Sequence, residues 1–286
     1  MRLKHGWPAT IVAAALITVL PAQAGPRRVV STFLCTDEYV FRLVPREDIA
    51  ALSYEAGLRR PIVSTIADQV GGIPFVHNSA EEVLEKKPDL VVMYAGTQVR
   101  LHAQLREAGI RIVDVPWANS LAEIRSATLD AGRALGAEAK ARALLEDMDR
   151  ALAAAHSRGP RVRALIYESN GYASTDTITS EIMNSAGLVD VAHEIGVTRS
   201  GSVPLELLVA SPPDLLILDE SGRGEPSLAN LVLAHPALAD IADKMVVGEV
   251  SLTPLSCPGP WSADIAGPFA QWGDKARALA RTRARP

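Results

Sequence analysis

Short apolar runs punctuate the chain, and between them hydrophobic positions recur at helical spacing. Arg28–Phe33, Asp48–Leu52, Asp89–Met93 and Arg111–Val115 in the first half read as buried strands, as do Val162–Tyr167, Asp214–Leu218 and Lys244–Val250 in the second. Helical patterns such as Glu81–Glu85 and Val99–Ala108 lie between the first set. Strands alternating with helices predict an α/β fold of βα units, with mainly parallel sheets covered on both faces.

The middle of the chain differs. From Ser120 to His156 strand formers nearly vanish, and Ala, Leu, Glu and Arg dominate. Gly136 divides this stretch into predicted helices at Leu121–Leu135 and Ala137–His156. At 1.5 Å per residue the second would be about 30 Å long. Its Leu144, Leu145, Met148 and Leu152 form one apolar stripe, and Ser157-Arg158-Gly159-Pro160 ends it. A long helix between two sets of βα units reads as a strut joining two Rossmann-like lobes. One continuous sheet with a long crossover is the other arrangement this pattern allows. The two-lobe reading divides the chain into an N-terminal lobe at 25–119, linking helices at 120–158 and a C-terminal lobe at 159–286.

Residues 1–24 have their own pattern: Arg2 and Lys4, an apolar run from Ile11 to Leu20, then Pro21-Ala22-Gln23-Ala24. A cationic start, a short hydrophobic core and an A-x-A ending predict a secretory signal peptide cleaved after Ala24. The run is about half the length of a spanning helix. The expected location is the periplasm.

A repeat links the two halves. Ser79 to Val92 and Pro204 to Ile217 both place a glutamate, Glu81 or Glu206, seven residues before a Pro-Asp that opens an apolar strand. Each glutamate falls in the first turn of a short predicted helix, where the helix dipole favours an anion. Taken alone, that placement fits an ordinary surface group as well as a functional one.

Composition narrows the function classes. Over 286 residues the chain is 48% apolar and 22% charged, ordinary for a globular protein. A formal net charge of −4 gives no electrostatic footprint for nucleic acid. Two cysteines cannot build a disulfide-dense scaffold or a four-cysteine zinc site. G-x-S-x-G, H-E-x-x-H, Walker A and strand-borne G-x-G-x-x-G motifs are all missing, so the chain is not expected to be an enzyme. A secreted hydrolase using Cys or Ser chemistry is the contrasting class.

Several landmarks occur in a telling order: Arg27-Arg28-Val29-Val30-Ser31, Lys87-Pro88-Asp89-Leu90-Val91, Gly171-Tyr172, Glu181-Ile182-Met183-Asn184-Ser185-Ala186-Gly187-Leu188, Pro204-Leu205-Glu206, Pro213-Asp214 and Pro258-Gly259-Pro260. Over nearly the whole mature chain the sequence resembles the periplasmic substrate-binding proteins of ABC importers for ferric siderophores, haem and vitamin B12. The resemblance implies two lobes flanking a ligand cleft, with a single long backbone helix limiting closure. It implies a monomer that captures an iron chelate or corrinoid, or haem as the alternative, and delivers it to a permease dimer in the inner membrane. Glu81 and Glu206 correspond to the exposed glutamates with which that family docks on its permease. No resident cofactor or metal is expected, and the three-histidine cluster of zinc-binding relatives is missing.

Ligands of parallel βα units sit at the carboxyl ends of strands. Within the resemblance, that rule selects Cys35 and Thr36 after the first strand, Tyr54 after the second, and Tyr94, Trp117, Tyr172 and Trp261 after later ones. The aromatics would stack on a flat macrocycle or catecholate chelate, and Arg100 or Arg199 would pair with ligand carboxylates. His77 and His102 are the histidines nearest the first-lobe loops, in reach of a haem iron. Cys35 and Cys257 are expected on cleft-facing loops, one per lobe. An oxidising compartment permits a disulfide between them, and two thiols touching the ligand is the alternative.

Overall fold

The structure is a computed structural model that describes residues 27–59, 63–220, 235–237, 241 and 244–284. The expected signal peptide lies outside the described residues. Strands β1 (Val29–Ser31), β2 (Ile49–Ser53), β3 (Phe75–Val76), β4 (Leu90–Tyr94) and β5 (Ile112–Val115) form one sheet in the order β3-β2-β1-β4-β5. All its pairings are parallel. A second parallel sheet takes β6 (Val162–Tyr167), β8 (Leu188–Asp190), β10 (Leu215–Asp219) and β11 (Val246–Val250) in the order β11-β10-β6-β8. A small antiparallel pair, β7 (Tyr172–Ser174) with β9 (Ser200–Ser202), stands beside it. The described strands therefore form two main sheets rather than one continuous one.

Cover on both faces explains the uninterrupted apolar runs: Val29, Val30 and the stretch from Leu90 to Met93 are wholly buried. Helices α1 (Leu34–Leu43), α2 (Ala80–Glu85) and α3 (Val99–Glu107) belong to the first set of βα units. Then α4 (Leu121–Leu135) and α5 (Glu138–Ala155) form the link. The Ser120 hydroxyl accepts from the Glu123 N–H at 3.1 Å, and the Glu123 carboxylate accepts from the Asn119 N–H at 2.6 Å. Together they satisfy donors that a helix start would otherwise leave open. Gly136, at φ +67°, stops α4 in the left-handed geometry that glycine adopts without strain.

The helical pair is keyed into both cores. Ile124, Leu145, Met148 and Ala155 pack with Leu215, Ile217 and Phe269 around the second sheet. Ala131, Leu135 and Ala141 pack with Val29, Leu52 and Leu90 around the first. Further helices α6 (Ile178–Ser185), α7 (Leu205–Ala210), α8 (Thr253–Ser256) and α9 (Ala266–Arg283) follow. Between α8 and α9 the chain returns to the first sheet's core, where Trp261 is buried against Tyr39. The C-terminal part is therefore not confined to the second sheet.

Both sheets have a switch in strand order, between β1 and β4 in the first and between β6 and β10 in the second. Crevices open beyond the strand ends at such points.

Candidate ligand cleft

A cavity of about 310 Å³ lies where the carboxyl ends of the two sheets meet. Trp117, Ala118 and Asn119, which follow β5, line one side. Glu168 after β6, Asp219 ending β10, and Thr177 and Ile178 at the start of α6 line the other. The turn carrying Leu252, Leu255, Ser256 and Pro258 closes a third side.

The first-sheet wall is aromatic. Phe33 and Tyr94 stack at 4.8 Å, and Trp117 meets Tyr94 edge-on at 6.1 Å. Burial, with nearby Tyr39, pushes the Tyr94 phenol up to about 12, so it stays neutral at physiological pH. Trp117 is 46% exposed, a large apolar surface with no cover of its own, and its indole N–H donates to Asn119 Oδ1 at 3.0 Å. At the same edge of the sheet Tyr54, also partly exposed, stacks on His77 at 4.9 Å.

The second-sheet wall is acidic and hydroxylic. Burial, reinforced by the Asp219 charge, raises the Glu168 carboxyl above the ordinary carboxylate range. Asp219 accepts from the Leu252 N–H at 3.1 Å and so ties the closing turn to β10. The Thr177 hydroxyl is buried without a hydrogen-bond partner among the described residues. Lys, Arg, His and Tyr are missing from the described residues that line the cavity.

Of the residues selected by sequence, Trp117 lines this cavity and Tyr94 backs it. Tyr54 and Tyr172 are exposed elsewhere on the strand-end surfaces, and Arg100 and Arg199 are exposed outside the lining. Three expectations are corrected. Cys35 is not on an open loop: it lies in the first turn of α1, buried, and is bonded to Cys257 with 4.9 Å between Cα atoms. Thr36 is wholly buried, its hydroxyl donating to the Phe33 carbonyl at 2.8 Å and paired with Ser31 Oγ at 2.7 Å. Trp261 is interior, donating to the Cys257 carbonyl at 2.8 Å, with the Arg42 guanidinium 4.4 Å over its ring. A strand end selects these three only if the next residues run outward, and here the chain turns directly into α1 or dives into the first core.

His77 and His102 are held by carboxylates, Glu82 and Asp114, each at 3.2 Å, and neither lines the cavity. Among the described residues there is no group of three or more His, Cys, Asp or Glu side chains able to hold a metal ion. Sequence reasoning missed Phe33, Glu168 and Asp219. The strand-end rule reached neighbours of Phe33 and Glu168 but selected nothing after the Asp214–Leu218 strand, and the strand order is what brings β6 and β10 together at the crevice.

The expected docking glutamates are both exposed, Glu81 in the first turn of α2 and Glu206 in the first turn of α7. Asp37 and Glu38 form a buried acidic pair on α1. Ser53 donates to Asp37 through its N–H at 2.9 Å and its hydroxyl, while Ser64, Thr65 and Arg42 hold Glu38.

Two parallel α/β sheets tied by a helical link, with a cavity bearing Trp117 between their strand ends, make up the architecture around the candidate site. The chain belongs to the periplasmic binding protein family, whose model matches residues 65–242. Curated relatives include a cobalamin-binding protein of Halobacterium salinarum, 25% identical over 240 residues. That match covers 82% of this chain but 64% of the relative, so the chain spans less than two thirds of the length of the curated relatives it matches. Solved structures share the fold. The apo periplasmic haem-binding protein RhuT of Roseiflexus sp. RS-1 superposes with a TM-score of 0.67 at 20% identity, covering 87% of this chain and 100% of that one. The vitamin B12-binding protein BtuF of Vibrio cholerae superposes with a TM-score of 0.61 at 19% identity, covering 88% and 98%. Family and neighbours alike are binding proteins, and no helix among the described residues is long and apolar enough to cross a membrane.

Proposed function

We propose that this chain is the periplasmic receptor of an ABC importer that captures a corrinoid or a metal chelate such as a siderophore or haem. The observation that carries this reading is the cavity shared by both sheets, walled on one side by Trp117 with Phe33 and Tyr94 behind it. An exposed aromatic face at a lobe junction suits a flat, conjugated ligand. The kinship with a cobalamin-binding protein supports the same ligand class.

Delivery is read from the two glutamates. Glu81 and Glu206 stand exposed on matching short helices, one per sheet, and offer a pair of negative charges to arginines of a permease dimer. Cleavage after Ala24 frees a monomer into the periplasm.

Titration of the purified mature protein with cyanocobalamin, haemin and ferric siderophores, followed by Trp fluorescence, tests the reading. Saturable one-to-one binding of at least one is expected, and failure to bind any of them contradicts it.

A further inference from the structure

Gln98 is held in a backbone geometry that its residue type seldom adopts. Its φ is +49°, in the left-handed region, where side chains other than Gly, Asn or Asp are uncommon. Strain of this kind persists where surrounding contacts over-determine it, and the Gln98 side chain supplies such contacts. Its Nε2 donates to the Thr32 carbonyl at 2.7 Å and to Asn78 Oδ1 at 2.5 Å, and its Oε1 accepts from the Thr32 hydroxyl at 2.8 Å. A carbonyl can only accept, so the Thr32 contact fixes which way round the Gln98 amide lies. Thr32 is buried, and one side chain satisfies both its hydroxyl and its carbonyl. The three residues come from the carboxyl ends of three strands. Thr32 follows β1 and precedes Phe33, Asn78 follows β3, and Gln98 ends the turn after β4. In that turn Thr97 donates to the Tyr94 carbonyl through its N–H at 3.2 Å and its hydroxyl at 2.9 Å. Phe33 and Tyr94 are the stacked pair beside Trp117. On the other side Asn78 adjoins Ser79, whose hydroxyl caps α2, and Glu81 lies in the first turn of that helix. Gln98 itself does not line the cavity.

We propose that Gln98 is a positioning residue: its amide clasps the Phe33–Tyr94 pair to the start of α2, so that a solute seated against Tyr94 and Trp117 also steadies the helix carrying Glu81. A ligand that orders the aromatic cluster lowers the cost of ordering whatever is bonded to it, and the two effects are reciprocal. The clasp is the hydrogen-bonded route between them. Other side-chain bonds of the turn before α2 run from His77 and Ser79 to Glu82, inside the same segment.

This inference rests on the receptor reading and adds how occupancy of the cavity reaches the first docking helix. The test is hydrogen exchange on the full mature protein, on Gln98→Gly and on Gln98→Glu. Glycine suits the left-handed backbone and removes the clasp without adding strain, whereas glutamate keeps the shape but turns an acceptor toward the Thr32 carbonyl. Without ligand, exchange at 32–34 and 77–82 is expected to speed up about tenfold in both variants, with thermal unfolding followed alongside to confirm that they are folded. Faster exchange confined to 95–99 overturns the clasp. The second arm adds cyanocobalamin, haemin and ferric siderophores in turn. In the wild type, whichever of them binds is expected to raise protection at 77–82 as well as at 117–119, and in the variants at 117–119 alone. Wild-type protection at 117–119 with 77–82 unchanged overturns the coupling and leaves the receptor reading standing; this arm needs no variant. Failure of every one of these ligands to bind contradicts the receptor reading and overturns the coupling with it.

Discussion

Trp117 shows how far a single residue was legible. A tryptophan just after an apolar strand run marks a strand end, and the structure gives it a partly exposed ring on the cavity. Trp117→Ala is expected to weaken chelate binding by about tenfold through lost stacking and area, as read by calorimetry, while the midpoint of urea unfolding stays nearly unchanged. Trp261, selected by the same rule, turns inward because its indole N–H finds the Cys257 carbonyl and its ring finds Tyr39. Nothing local in the sequence distinguishes the two. Asp37 was invisible for a different reason: a buried aspartate is stable only with partners, and these come from Ser53, sixteen residues on. Burial pushes its carboxyl up from 3.8 to about 8, against the hydrogen bonds from Ser31 and Ser53 that lower it. The folded state thus keeps a proton that the unfolded chain has lost over that interval, so Asp37 makes stability fall as pH rises from about 4 to about 8. Urea midpoints across that range are expected to decline less steeply in Asp37→Asn than in the wild type, and parallel profiles would contradict this.

Elements were legible where composition and periodicity agree. The Ala, Leu and Glu-rich stretch beyond Ser120 gave α4 over its full length and α5 to within a residue at each end, with Gly136 at the break. What it did not reveal is how tightly they touch: a Cβ placed on Gly132 would lie 2.5 Å from the Ala141 Cβ. Gly132→Ala gains about 1 kcal/mol of helix propensity but is expected to lose more to overpacking, typically about 1–3 kcal/mol. Denaturant unfolding should therefore show a net loss of stability, and a net gain would mean the helices part at little cost. Helix α1 was not among the predicted helices, and its buried residues mix polar Thr36, Asp37 and Glu38 with apolar Tyr39, Val40 and Leu43. Its short apolar stripe is interrupted by carboxylates, which hydrogen bonds from Ser53, Ser64 and Thr65 satisfy in the interior. Helices α2 and α7 were found through their repeat, and their glutamates carry a prediction at this scale. Replacing both, Glu81→Ala with Glu206→Ala, is expected to leave chelate affinity intact in the purified protein and abolish uptake in cells. Normal uptake would remove the docking role.

At the scale of the whole molecule, the two-sheet plan followed from alternating strand and helix patterns on either side of a strand-free middle. The crossing of the chain back into the first core did not, because it depends on long-range contacts. The Cys35–Cys257 disulfide closes a sequence separation of 222 residues and fixes the turn that forms one side of the cavity, next to Ser256 and Pro258. Cys35→Ser with Cys257→Ser is expected to cost about 2–4 kcal/mol, read from denaturant unfolding with and without reductant. An equal midpoint in both would mean that the core around Trp261 alone holds the crossing. The central claim is that a solute is held between the two sheets, with both walls engaged at once. Hydrogen exchange of the mature protein with and without saturating cyanocobalamin tests it most directly. Protection is expected to rise together in residues 117–119, 168–179 and 252–258. Protection confined to one sheet, or appearing only away from these segments, would contradict the account.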